Sequence, residues 1–256
     1  MTKKLTHHLL TIVLLLLLPC KTLAQEANPQ PAIDVEDVAR HPQQYVGIVE
    51  EKPKLLFFQG FTLSADLIGP GMYLLGDYGS AEASLRLNLR NTFFPAAELG
   101  LARCDYTDDN TFINYKTSAP YLRAGLDFNL LKDKFQDNHL FLGLRYGVSN
   151  YNFDISGPAL TDPVWGGDEP FSYHDIRTTS QWLEIVVGAQ VKVWHTFHMG
   201  WFIRYKHELN STKSPYAHPY YIPGYGITTN PSTLGATYSL IFDLNWGKKK
   251  ERRRPL

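Results

Sequence analysis

Cysteine is nearly absent from this chain of 256 residues, with Cys20 and Cys104 as its two examples. Cys20 lies in the leading apolar stretch, so Cys104 has no partner. A disulfide framework is excluded, and with it any Cys–Cys or Cys–His metal motif. Net charge is absent as well. The 25 basic residues balance 25 acidic ones, which leaves no electrostatic footprint for nucleic acid. Past the leading stretch, no segment has the roughly 18 consecutive apolar residues of a transmembrane helix. Neither Gly-x-Ser-x-Gly nor His-Glu-x-x-His occurs, so two common signatures of hydrolytic enzymes are missing. No cofactor or metal is expected.

What the chain does have is alternation. From Phe57 to Trp246, apolar and polar residues follow one another with a period of two. The clearest stretch is the last: Tyr238, Leu240, Phe242, Leu244 and Trp246 share one parity, and Thr237, Ser239, Asp243 and Asn245 the other. A strand turns successive side chains to opposite faces, so one face is oily and the other wet. Hydrophobic residues make up 44% of the chain and aromatics 13%, enough to coat a barrel.

The first residues read as a secretory signal peptide, 1–24. Lys3 and Lys4 precede an apolar run from Leu9 to Leu18, and Thr22-Leu23-Ala24 is an acceptable cleavage site. A retained anchor is the competing reading, as is acylation of Cys20, against which Pro19 stands. Residues 25–56 carry Pro29, Pro31, Pro42 and Pro53 with few large apolar residues. They read as an irregular periplasmic lead, too small to bury a core of its own.

Eight strands are expected over 57–246, near 57–67, 81–89, 93–103, 117–130, 139–151, 177–192, 197–206 and 233–246. An even number suits a single-chain bacterial barrel. Connections alternate strictly between short (90–92, 131–138, 193–196) and long (69–80, 104–116, 152–176, 207–232). Outer-membrane barrels pair short periplasmic turns with long outer loops, so both termini are expected in the periplasm. Aromatics gather at the two expected membrane edges: Phe57, Phe58, Phe93, Trp194, Phe197 and Trp246 at the inner one, Tyr106, Tyr115, Tyr151 and Phe153 at the outer. The fold class is therefore an all-β, eight-stranded, antiparallel up-and-down transmembrane β-barrel. A soluble lipocalin-like ligand-binding barrel shows the same periodicity with its polarity inverted.

The wet parity carries Glu82, Arg86, Glu98, Arg123, Asp127, Arg145, Glu184 and Arg204, with Lys206 after them. Inside a narrow barrel these charges must pair. They are expected to hold the barrel's shape and to fill its lumen, which excludes a general pore. Leu142, mid-strand on the oily face, is expected to tolerate change less well than inward-pointing Gly143.

Long loops on a rigid barrel are where binding resides. Trp165 with Asp162 and Asp168, and Tyr220 with Tyr221, are the candidate contacts; large aromatic area comes at low entropic cost. The loop acids lack the spacing of a recognised calcium loop. A self-packed, rigid last loop accounts for the same tyrosines. Ser172 beside His174-Asp175 invites a lipid-modifying enzyme as an alternative, because a His–carboxylate pair activates serine. Three common residues in one loop are a weak signal, and the chain is read as a non-enzyme. The tail 247–256, with its basic run Lys248-Lys249-Lys250-Glu251-Arg252-Arg253-Arg254, reads as a solvated periplasmic end, or as a site for anionic lipid heads or cell-wall polymer.

Several segments taken together resemble an uncharacterised bacterial family of outer-membrane β-barrel proteins, a domain of unknown function. They are SADLIGPGMYLLGDYG, ASLRLNLRNTFFPAAELG, TDDNTFINYKTSAPYLRAGLDFNLL, LGLRYG, TDPVWGG, FHMGWFIRYK and YIPGYG. The resemblance covers about Phe57 to Trp246; the basic tail falls outside it. It implies a barrel in a Gram-negative outer membrane and brings no catalytic residues. The expected function is structural or surface-binding, with outer-membrane lipid, lipopolysaccharide and an envelope or surface protein as partners and no nucleic acid.

Overall fold

The structure is a computed structural model that describes residues 56–161, 166, 168–169, 172–212 and 218–245. The expected signal peptide and lead, Asp162, Trp165, Trp246 and the basic tail lie outside these residues.

Eight long strands close into a barrel: β1 (Phe58–Asp66), β2 (Tyr78–Leu89), β3 (Phe93–Thr107), β4 (Asn114–Asn129), β5 (His139–Ser156), β8 (Ser172–Trp194), β9 (Phe197–Ser211) and β12 (Ser232–Asn245). Each pairs antiparallel with its neighbour, and β1 closes the ring on β12 from Gly60↔Asn245 to Asp66↔Ser239. Closure leaves no barrel edge for foreign strands. Two small hairpins, β6 (Leu160–Thr161) with β7 (Asp168–Glu169) and β10 (Tyr221–Ile222) with β11 (Gly226–Ile227), lie in the long connections. Among the described residues one helix, α1 (Ile68–Leu75), follows β1.

The alternation sorts side chains across the wall. Leu99, Leu101, Leu144 and Ile203 stand outward and are 56–62% exposed. The polar parity is buried within. An apolar belt circling the whole wall far exceeds the patches that water-soluble monomers carry. A lipocalin has the opposite polarity. The barrel is thus of the transmembrane type, crossing with strands; no helix among the described residues is long and apolar enough to do so.

The strands run further at the long-loop end than alternation predicts. β5 reaches Ser156 rather than Tyr151, and β8 starts at Ser172 rather than Arg177. Pairing continues there, through Tyr115↔Ile155 and Asn152↔Arg177. Above the apolar belt both faces meet polar surroundings, so the ladder persists without an oily parity to mark it. The long connection 69–80, to which the sequence reading assigned no element, holds most of α1. The Asp66 carboxylate accepts the N–H of Ile68 (3.3 Å) and of Gly69 (2.7 Å), satisfying two free donors of its first turn. The Gly69-Pro70-Gly71 start of α1 carries poor helix formers, so propensity gives no sign of the helix.

Candidate functional site: the filled lumen and its plug

Four layers fill the barrel. At the short-turn end lies a polar layer with Asn88, Asn129, Gln190, His198 and Asp243, all buried. Next comes an apolar layer of Phe94, Phe141, Val186, Phe202 and Ile241. The charged layer follows. An aromatic layer at the long-loop end closes the lumen.

The charged layer assembles by register. Glu98 on β3 lies opposite Arg123 on β4, and Arg145 on β5 opposite Glu184 on β8. Arg145 Nη2 donates to Asp127 Oδ2 at 2.6 Å, and its Nε to Glu98 Oε1 at 3.1 Å. Arg204 Nη1 reaches Glu98 Oε2 at 2.8 Å and Glu184 Oε2 at 3.1 Å. Arg123 Nη1 reaches Glu184 Oε1 at 3.1 Å, and its Nη2 pairs closely with Glu82. Tyr121 adds an O–H to Glu82 Oε2 at 2.7 Å, and Trp182 an N–H to Glu184 Oε1 at 2.7 Å. Arg86 stands at the layer's edge, 3.7 Å from Asp127 and with its guanidinium 4.6 Å over the Phe202 ring. All eight residues expected to form an interior set are thus brought together. Arg123, Arg145 and Arg204 each serve two or more carboxylates, so the layer is one network rather than a set of pairs.

Glycines make the room. A Cβ on Gly143 would overlap the Asp127 carboxylate, and one on Gly147 the Trp182 ring. Gly143 is therefore a constrained position, where an added side chain meets the Asp127 carboxylate.

The aromatic layer corrects the reading of the outer belt. Tyr115, Tyr151 and Phe153 point into the lumen and are at most 3% exposed, where they pack with Trp182 and the thiol of Cys104. Onto them folds the last long connection. Tyr221, Ile222 and Tyr225 are buried, Tyr115 Oη donates to the Tyr221 carbonyl at 2.8 Å, and Tyr220 stacks on Tyr106 at 4.9 Å. Tyr221, expected as a partner contact, is 5% exposed and belongs to the core. The reason is hydrophobic: a wide lumen mouth lined by aromatics is covered by the nearest apolar segment. Tyr220 is half-buried. Asp168 lies in β7; Asp162 and Trp165 are outside the described residues.

Lys206 is the residue whose role alternation left open. Its Nζ donates to the Gly224 carbonyl at 2.8 Å and the Tyr225 carbonyl at 3.0 Å, tying the plug to the charged layer. Its inward parity was visible; its partners, 18 and 19 residues away, were not.

The remaining loop chemistry is open to solvent. Ser172 Oγ lies 2.8 Å from His174 Nε2, and the carboxylate nearest His174 Nδ1 is Asp154 at 3.8 Å. Asp175 instead accepts the Asn152 amide at 2.6 Å. Ser172, His174, Asp175 and Asn152 are exposed and the Asp154 side chain is 44% exposed, so the dry surroundings that strengthen such a pair are missing. In the acidic 104–110 stretch, Asp108 accepts the N–H groups of Thr111 and Asn110, which hold its carboxyl below the usual range. Its oxygens serve its own turn. Among the described residues, no group of three or more His, Cys, Asp or Glu side chains is placed to hold a metal ion.

Fold and lumen together define a small transmembrane β-barrel with a charged, plugged interior. The chain belongs to the DUF6048 family, a domain of unknown function, whose family model matches residues 6–249. No curated protein matches it. Among solved structures it is similar to Ail, the attachment invasion locus protein of Yersinia pestis, at 11% identity and a TM-score of 0.37, over 72% of this chain and 98% of Ail. A second structure of Ail, in complex with the heparin analogue sucrose octasulfate, gives 12% identity and a TM-score of 0.33 over 73% and 94%.

Proposed function

We propose that this chain is a non-enzymatic outer-membrane barrel whose outer face is a binding surface and whose lumen serves as a rigid filling. The filled lumen carries this reading. An apolar layer, a charge network and an aromatic plug succeed one another along the axis, which leaves a scaffold rather than a conduit. On this reading residues 1–24 are removed on export, 25–56 and 247–256 lie in the periplasm with both termini, and the long loops face outward. Trp165, Asp162, Asp168 and Tyr220 are the proposed contacts for an envelope or surface protein, with lipopolysaccharide around the wall.

Single cysteines test the orientation in intact cells. Asp109→Cys sits in an exposed long loop and Asp133→Cys in an exposed short turn, while Cys104 is buried. A membrane-impermeant maleimide should label position 109 in whole cells and position 133 only after permeabilisation. The reverse order would overturn the orientation.

A lipid-modifying enzyme is the second reading, favoured by the Ser172–His174 contact alone. Loss of a lipid modification in a Ser172→Ala strain would establish it, and an unchanged lipid profile would dismiss it.

A further inference from the structure

Helix α1 does not rise away from the barrel. It folds down over the outer wall of β2, where Tyr73 backbone lies against Gly79 so closely that a Cβ there would overlap it. Between helix and wall runs a cleft of about 370 Å³, lined by Pro70, Tyr73 and Leu74 on one side and Ala81, Leu101 and Ser118 on the other. That volume lies within the range of small-molecule sites, about 300–1,000 Å³. The outward positions of β2 beneath the helix are Gly79 and Ala81, whose small size leaves room between helix and wall. The cleft opens sideways onto the apolar belt, beside Leu99 and Leu101. Leu74 and Leu75 at the helix end are 79% and 72% exposed. In water that exposure is costly; at a membrane interface it is what holds a short helix down.

Directly above, past Tyr73, the surface turns polar. A second cleft of about 280 Å³ is lined by Gly76, Asp77, Gly79, Arg103 and Asp105. Arg103 and Lys116 are half-exposed and share one carboxylate loosely, at 3.7 and 3.4 Å from Asp105 Oδ2. Asp105 is itself held by the Asn114 amide at 3.2 Å. The Arg103 guanidinium lies 5.9 Å from the Tyr73 ring that joins the two clefts. Among the described residues, Asp105 is the one carboxylate paired with either cation. A phosphate engages an arginine fork in two parallel hydrogen bonds, which a carboxylate at 3.7 Å does not.

We propose that the paired clefts are a site for a phosphorylated acyl lipid of the outer leaflet, lipopolysaccharide, with an acyl chain against Ala81 and Leu101 and a phosphate on Arg103 and Lys116. The order of surfaces matches the order of groups in such a lipid: apolar within the belt, cationic at its rim. Asp77 and Asp105 balance the two cations, so recognition rests on hydrogen-bond geometry, and Asp105 competes with the phosphate. This inference rests on the outer-membrane reading above. Failure of that reading appears as wild-type chain in the soluble fraction; failure of this one appears with the chain still membrane-bound.

The test is a titration of the full chain in detergent with lipid A, read by native mass spectrometry, with chemically dephosphorylated lipid A in parallel. Every altered side chain faces outward, and boiled and unboiled gel mobility reports assembly of each variant. Wild type should bind one lipid A and discriminate against the dephosphorylated form. Arg103→Ala with Lys116→Ala should lose about tenfold in affinity for the phosphorylated form and nothing for the other. Ala81→Trp, which fills the lower cleft, should weaken both. Asp105→Asn should strengthen binding of the phosphorylated form, which a merely structural role for that carboxylate would not produce. Absence of lipid A binding by wild type, equal affinity in the double variant, or a self-associated chain that Ala81→Trp makes monomeric would each overturn the proposal, the last by assigning the clefts to a second copy.

Discussion

Arg145 shows what the charged layer demands of a single side chain. Its guanidinium serves Asp127 and Glu98 at once, so Arg145→Met strands two carboxylates in a dry lumen. Breaking a buried pair costs about 3–5 kcal/mol, and the variant's urea midpoint in lipid vesicles should fall accordingly. Adding Asp127→Asn should recover part of the loss, because the two residues are coupled. Gly143→Ser should also destabilise, since its Cβ meets the Asp127 carboxylate; a midpoint equal to wild type would show that the network yields. The membership of this network was legible in the sequence, because inward parity and charge coincide at Arg145 and at Glu184. The pairing was not. Which acid meets which arginine depends on register and on the empty volumes at Gly125 and Gly143, and neither is written in alternation. Tyr115, Tyr151 and Phe153 teach the opposite lesson. They share the parity of Arg123 and Arg145, so their inward direction was available and was overridden by the expectation that edge aromatics face lipid.

Strands behave as the alternation predicts within the apolar belt and extend beyond it where alternation stops. Leu142 is outward and 44% exposed on β5. Leu142→Arg should reduce assembly by a cost of about 2–4 kcal/mol at mid-belt, measured as the folded fraction on an unboiled gel. The last long connection is the element that sequence reading placed least well. Its tyrosines were read as a surface for partners or as a self-packed, rigid loop; the segment in fact packs downward onto Trp182 and is held by Lys206, contacts that alternation does not show. Lys206→Met removes two hydrogen bonds to that segment while leaving the wall untouched. Limited proteolysis should then cut within 218–231 in a variant whose barrel remains heat-modifiable. Resistance equal to wild type would mean that the aromatic packing alone secures the plug. α1 was missed because its glycines and proline are poor helix formers, while the helix lies against the wall beneath it.

The barrel of the described residues is a closed ring of eight strands with inverted polarity, filled along its axis. Two apolar layers bracket the charges, so the protein in planar bilayers should pass no current. Removal of 219–228 should leave it closed, because Phe94, Phe141 and Phe202 still seal the other end. Steady conductance in wild type would remove the scaffold reading. Parity alone did not decide between lipid outside and ligand inside; the charges did, once their mutual contacts were in view. The most direct test of that inversion is fractionation of cells expressing the full chain, followed by gels of boiled and unboiled samples. The mature chain should sediment with the outer membrane, resist salt extraction, require detergent for release and change mobility on boiling. Recovery of the mature chain from a salt-washed soluble fraction, with the same mobility boiled and unboiled, would contradict it.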